Sequence, residues 1–340
     1  MHTDGIALLG TVIGNDEFLS SFLQKKIACI HTLLGKVAKL QSLHSKFQIL
    51  RLSINAKLRH LLRSLLPSRP PVQDFCRQFD LIIQSFFVSS FHIQDPTPEL
   101  LSQSSLSTAH GGMGLLSLSD MAPTAFLSSL RNMLSEFVIR NADTSDPTLI
   151  LSHWSYEEEA QRAWDSYHLL PDQMLNQGTQ TNWGHESFLN LPQHGTQHKL
   201  QIIHSEARQA NLLSLVSPRK AIKILSASDQ GAAAFLSANG SFLGQGMSNA
   251  ELEVAVKLRL GSKIHAHMPQ TCICGTDIDP EGDHLLKCKR GNEWYTRHTA
   301  LNQCMASIIR SAHLPVSHEV TIASLAPPRP GFQPPTGRMD

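Results

Sequence analysis

Three cysteines and a histidine fall within one short window: Cys272-Ile273-Cys274-Gly275, a mostly polar spacer, then Gly282-Asp283-His284-Leu285-Leu286-Lys287-Cys288. Thiolate sulfur and imidazole nitrogen are the donors that zinc takes, and four of them at tetrahedral vertices make a complete site. Gly275 permits the sharp turn that brings Cys272 and Cys274 to one ion. His284 and Cys288 are four residues apart, so on a helix they share a face. Asp283, or Gly282 before it, can cap that helix. The chain has only six cysteines in 340 residues. That is no disulfide scaffold, and three of the six beside one histidine read as metal ligands in a reducing compartment. The plainer reading is three unrelated thiols near a histidine. Four protein ligands would close the coordination sphere, so the expected Zn2+ is structural, with no open position for a substrate water. Asp277, Asp279 and Glu281 in the spacer lack the spacing of a calcium loop and read as solvated acids.

Charge is the second chemical signal. Residues 18–73 contain no Asp or Glu. They contain Lys25, Lys26, Lys36, Lys39, Lys46, Arg51, Lys57, Arg59, Arg63 and Arg69, with His31, His44 and His60. One-sided charge repels itself unless an anion lies nearby. A solvated helical face is the common reason for a charge run; the complete absence of carboxylates favours a phosphate-facing surface. Lys287, Lys289, Arg290 and Arg297 place a basic rim on the cysteine segment, which suits nucleic acid and is compatible with a plain protein contact. Residues 143–172 reverse the sign, with Asp143, Asp146, Glu157, Glu158, Glu159, Asp165 and Asp172 on what reads as a solvated helical insert. His110-Gly111-Gly112-Met113-Gly114-Leu115 has no Gly-Lys-Ser/Thr ending, so it reads as a tight turn before a helix rather than a phosphate loop.

The elements that must position these groups are mostly helical. Ile6 to Gly14 is a glycine-broken apolar run that suits a hairpin. Phe22, Ile27, Ile30, Leu33 and Leu34 recur at helical spacing, as do Leu52, Leu58, Leu61, Leu62 and Leu65. Pro67-Ser68-Arg69-Pro70-Pro71 breaks that block, and Phe75, Phe79, Ile82, Ile83, Phe86 and Phe87 resume a helix. A further helix follows the glycine turn, with its N-cap near Asp120-Met121-Ala122-Pro123. Residues 173–199 lack periodicity and read as a linker; its His185, His194 and His198 leave a metal role open, though scattered linker histidines are more often inert. A helix or helix pair spans 200–225. Another begins at Ser248-Asn249, carries Lys257 and Arg259 in its last turn to suit the helix dipole, and stops at Gly261. Beyond Gly291 an amphipathic helix places Trp294, His298, Leu301, Met305, Ile308 and Ala312 on one face, with Cys304 beside them as core. Composition is globular, 41% hydrophobic and 17% charged with net charge +1. No targeting signal and no run of about 20 apolar residues is present, so a nuclear or cytoplasmic location without membrane contact is expected.

In this order the segments resemble the C-terminal part of a non-LTR (LINE-like) retrotransposon reverse transcriptase, of the kind that ends in a restriction-like endonuclease. Leu8-Leu9-Gly10 with Ile13-Gly14 resembles the turn after the polymerase palm. Gly111-Gly112-Met113-Gly114-Leu115 resembles the family's "GGLGL" turn after the helical thumb, and Leu258-Arg259-Leu260-Gly261 its "RLG" helix end. Cys272, Cys274, His284 and Cys288, followed by Gly291 and Arg297-His298, resemble its Cys/Cys/His/Cys knuckle. The resemblance covers most of the chain, least over 130–200. It implies RNA and DNA as partners in target-primed reverse transcription. The Tyr/Phe-x-Asp-Asp motif of that polymerase is missing, and would lie upstream of Met1. Glu319 and Arg338-Met339-Asp340 resemble the first acids of the endonuclease, whose further acid and lysine would lie beyond Asp340; Glu319 and Asp340 read equally well as surface acids.

The expected architecture is therefore mainly α: a palm remnant over 1–17, a basic thumb-like helical domain over 18–140, an acidic insert and linker over 141–199, a helical region with the knuckle over 200–315, and a truncated endonuclease start over 316–340. The expected function is a retroelement fragment that binds RNA or DNA without a complete polymerase or nuclease site. Its expected nucleic-acid contacts are Lys25, Lys26, Lys36, Lys39, Arg59, Arg63, Lys289, Arg290, Arg297 and His298. The alternative is a zinc-stapled protein–protein adaptor. Oligomeric state leaves no sequence signal.

Overall fold

A computed structural model of the chain describes residues 4–140, 158–163, 195–238, 247–264, 269–288, 290 and 293–316. The fold is mainly helical with one two-stranded antiparallel sheet at the N-terminus. Strands β1 (Gly5–Leu8) and β2 (Thr11–Gly14) pair from Gly5↔Gly14 to Leu8↔Thr11. Leu9 and Gly10 between them both take positive φ, the geometry of a tight hairpin turn. Val12 is the buried side chain of this hairpin and joins the main core.

Helix α1 (Asp16–Ala38) starts where the Asn15 side chain accepts a hydrogen bond from Phe18 N at 2.9 Å. Asp16 and Glu17 sit in its first turn and Lys36 in its last, as the helix dipole favours. Its buried stripe is Leu19, Leu23, Ile27, Ile30, Leu34 and Val37. Helix α2 (Leu43–Gln48) runs into a π-helical segment, Ile49–Ile54, and a 3-10 turn, Arg59–Arg63, follows. The wider π turn shifts the phase of the apolar pattern. Leu50 and Ile54 are buried, whereas Leu52, expected in the core stripe, is 63% exposed.

Helix α3 (Pro70–Ser90) opens on Pro70-Pro71, where missing N–H groups cost nothing, and packs along α1 through Phe75, Phe79, Ile83 and Phe87. Phe47 from α2 closes an aromatic cluster with Phe87 and Phe91, its ring edge-on to Phe91 at 5.8 Å. Helix α4 (Pro98–Ser105) leads to a 3-10 turn, Thr108–His110, and the glycine segment, then α5 (Leu118–Arg140). The N-cap expected near Asp120 lies elsewhere. Ser117 Oγ accepts from Asp120 N at 3.1 Å. Asp80 of α3 accepts from Leu118 N at 2.7 Å, Ser119 N at 3.1 Å and Ser117 Oγ at 2.7 Å.

Helices α6 (Thr196–Leu215) and α7 (Pro218–Ser228) are the pair expected over 200–225. Helix α8 (Asn249–Leu260) begins with a reciprocal capping box between Ser248 and Glu251 and ends at Gly261 in the left-handed region. Asn249 ties it to the start of α2, accepting from Leu43 N at 2.9 Å and donating to Gln41 O at 2.8 Å. Leu252, Val256 and Leu260 join the main core. Glu159, expected on a solvated face, is buried and accepts from Ser68 N at 2.9 Å.

The chain divides into two compact units, residues 1–266 and 267–340. The second holds α9 (Asp283–Lys287) and α10 (Glu293–Ser311). The division falls inside the segment expected over 200–315, because α6, α7 and α8 pack with the first unit. No described helix is long and apolar enough to cross a membrane.

Candidate metal centre and basic surface

A miniature hairpin sets the first two sulfurs. Thr271 and Asp277 form an antiparallel bridge, Cys272 N donates to Thr276 O at 2.9 Å, and Ile278 N to Gln270 O at 2.8 Å. At its tip Gly275 N donates to Cys272 O at 2.8 Å with φ +86°, a conformation glycine adopts without a Cβ penalty. The other two donors come from α9, preceded by Gly282 in the left-handed region. Gly282, one of the two expected caps, occupies the N-cap position but has no side chain to offer. The side-chain acceptor is Asp279, which takes Asp283 N at 3.0 Å and His284 N at 2.7 Å. The spacer acid read as solvated therefore organises the helix that presents His284. Cys288 N returns to His284 O at 2.8 Å at the helix end.

The donor atoms of Cys272, Cys274, His284 and Cys288 all lie within 4.8 Å of one another. Cys272 Sγ and Cys288 Sγ are 3.7 Å apart, and Cys274 Sγ is 3.2 Å from His284 Nε2. One metal ion can be held at their centre. The Cys274 thiol is brought down to about 6, first by hydrogen bonding to the Thr276 hydroxyl and N–H, then by the neighbouring thiols. At Cys288 the hydrogen bond to the Arg290 backbone pulls the same way, but burial and the two other thiols outweigh it and raise the thiol.

Around this centre Arg290 is exposed and its carbonyl meets the Cys288 thiol at 3.7 Å. Arg297 donates to Leu286 O at 2.6 Å, which ties α10 to the end of α9. His298 is exposed, its ring 3.4 Å from the Asn302 amide. The stripe expected as core on α10 is open instead: Leu301, Met305 and Ile308 are 62%, 52% and 60% exposed, and Cys304 is exposed as well. Ala306, on another face, is buried. Lys289, Glu319 and Asp340 lie outside the described residues, as do His185 and His194.

In the first unit Lys25, Lys36 and Lys39 are exposed along α1, with no ion pair among the described residues. Lys26 lies over the Phe22 ring at 4.7 Å. Arg63 donates to Gln197 Oε1 at 2.8 Å. Arg59 is half-buried, and its Nη2 donates to Asn55 Oδ1 at 2.8 Å while Asn55 Nδ2 holds Leu116 O at 2.9 Å. Burial lowers the Arg59 pKa.

Arg259, read as a dipole partner in the last turn of α8, is 7% exposed. Its Nε donates to Gly112 O at 3.1 Å, Nη1 to Ala232 O at 3.2 Å and Nη2 to Thr108 O at 3.0 Å. Gln103 Nε2 donates to both Gly111 O and Arg259 O at 3.1 Å. A Cβ on Gly112 would stand 2.1 Å from Leu106 O, so this position must be glycine for the turn to close on α4. The glycine turn and the α8 helix end, 147 residues apart, are thus one assembly. No local pattern in the sequence announces that contact. Lys257 is buried too, paired to Glu253 at 2.6 Å.

Comparison of the chain with protein families, with curated proteins and with solved structures yields no match.

Proposed function

We propose that this chain is a polynucleotide-binding portion of a non-LTR retroelement reverse transcriptase, stapled by a structural zinc ion. The observation that carries the reading is the closure of Cys272, Cys274, His284 and Cys288 on one point beside exposed cations. Zinc suits the donor set. Thiolate bonds of about 2.3 Å at tetrahedral angles require sulfurs about 3.8 Å apart, and Cys272 and Cys288 stand at 3.7 Å. The ion neutralises the gathered thiolates and joins the hairpin to α9. Four protein donors leave it no substrate position, so its role is to hold shape.

RNA or DNA is the partner that the unpaired lysines of α1 and the rim of the knuckle favour. The joining of the glycine turn to the α8 end by Arg259 supports the same assignment, because those are two of the segments on which the resemblance rests. Neutralising each phosphate of a single strand contributes about 0.7 to the slope of log affinity against log salt. Fluorescence anisotropy with a labelled 20-nucleotide RNA, from 50 to 300 mM salt, is expected to show affinity falling steeply. Zinc is expected at one equivalent, and lost in the Cys272→Ser, Cys288→Ser double variant. No anisotropy change at 50 mM salt would overturn the nucleic-acid reading. The exposed Leu301, Met305 and Ile308 favour a second reading, a zinc-stapled protein adaptor, which predicts that silent result.

A further inference from the structure

Arg51 stands apart from the other arginines of the first unit. It lies on the π-helical segment and is half-buried, yet it has no hydrogen-bond partner among the described residues. Its guanidinium rests against the glycine turn: a Cβ on Gly114 would come within 2.8 Å of Arg51 Nε, and Gly114 has φ +73°. Only a bare Cα lets the side chain approach so closely. The guanidinium of Arg51 is therefore held beside the turn, half-buried and with its five N–H donors unbonded to protein among the described residues.

The surroundings add positive charge. The Arg259 pKa is lowered to about 10, first by burial and then by the charge of Arg51. The three acceptors that Arg259 uses are neutral carbonyls, so they leave both charges uncompensated. Farther along the same run, Arg59 Nε is buried without an acceptor, and Asn55 between the two arginines is anchored to Leu116 O. Exposed Lys57, His60 and Arg63 follow in the sequence, and residues 18–73 supply no carboxylate. Burying like charges without a counter-charge is costly, and an arriving anion relieves that cost. A guanidinium fork matches the paired oxygens of phosphate in particular.

We propose that Arg51, set against Gly114 beside Arg259, forms a phosphate site. Its natural occupant, on the reading that this chain binds a polynucleotide, is one backbone phosphate, with the cations that follow taking its neighbours.

The test uses the full chain with its metal and two variants, Arg51→Gln and Arg51→Lys. The probes are the labelled RNA and inorganic phosphate, the latter read as a rise in Tm against chloride at equal ionic strength. Arg51→Gln is expected to bind RNA roughly tenfold more weakly at 100 mM salt, as loss of one charge-assisted bidentate contact implies. Its salt slope should fall by about 0.7. The phosphate-induced Tm rise should vanish. Arg51→Lys should keep the slope and part of the affinity, which separates loss of a contact from loss of fold. RNA binding by Arg51→Gln with unchanged affinity and slope overturns the site while leaving the lysines of α1 as the binding surface. A phosphate effect that Arg51→Gln abolishes, in a chain that binds no RNA, upholds the phosphate site for a small ligand and sinks the polynucleotide reading. No response of the unmodified chain to either probe overturns both.

Discussion

Asp279 shows how much of the metal centre rests on one residue that is not a ligand. Its two carboxylate oxygens take the first free N–H groups of α9, at Asp283 and His284. Helix N-terminal N–H groups have no intrahelical partner, and a carboxylate there also meets the positive end of the helix dipole. Since α9 is only five residues long, it has little cooperativity of its own to set the His284 ring. Partners that orient metal ligands are worth about 10- to 100-fold in metal affinity. Asp279→Ala is therefore expected to weaken metal binding by that order, read with zinc as the probe ion by competition with a chromophoric chelator. Equal affinities for the variant and the parent chain would show that the hairpin alone orients the histidine.

At the scale of elements, Asp80 plays the corresponding part for α5. It reaches from the middle of α3 to the start of α5, across 37 to 39 residues of sequence. Burial raises its pKa above the ordinary carboxylate value, even though hydrogen bonds from Ser117, Ser119 and Leu118 pull it down. The thiol of Cys76, one turn earlier on α3, is pushed up to about 12 by its own burial and then by the Asp80 charge. The sign of the linkage follows. A raised folded-state pKa means that the folded chain holds this proton more tightly than the unfolded chain. Asp80 thus contributes most below its unfolded value near 3.8, and that contribution is lost as pH rises through the folded value. Asp80→Asn keeps one acceptor oxygen and turns an amide toward the donors, at an expected cost of about 1–2 kcal/mol. Urea unfolding should find the difference between parent and variant shrinking as pH rises from 4 to 7. A difference that grows over that range would mean that the hydrogen bonds, not burial, dominate the carboxyl.

At the scale of the whole molecule, the core is unevenly distributed among the described residues. Residues 1–266 carry the main apolar cluster, from Val12 through the phenylalanines of α3 to Leu260. Among the described residues of 267–340, Ala306 is the buried apolar side chain. Described residues with so little apolar burial need another source of free energy, which a bound metal ion can supply: structural zinc in small peptides contributes about 10–16 kcal/mol. Metal removal should therefore act locally. In hydrogen exchange with a strong chelator, amides of 270–288 are expected to lose protection while those of α1 and α3 keep theirs. Protection of 270–288 that survives complete metal removal would assign the staple to something other than the ion.

What the sequence alone determined was set by chemistry or by neighbours in the chain. The four metal donors were legible because thiols and imidazole have few other reasons to cluster. Helix α8 was legible at both ends because Ser248 and Glu251 act within its first turn and Gly261 directly after its last. The mainly helical class followed from periodicity, and α1 kept its expected face. Tertiary structure decided the rest. The bonds of Arg259 to Thr108, Gly112 and Ala232 span 27 to 151 residues, and no periodicity encodes them. The exposure of Leu52 depended on a π turn that broke the helical phase. Leu301, Met305 and Ile308 share a helix face that the pattern marks as apolar, but a stripe becomes core only where another surface covers it. Local interactions are written in adjacent residues; coverage and long-range pairing arise only when the chain has closed on itself.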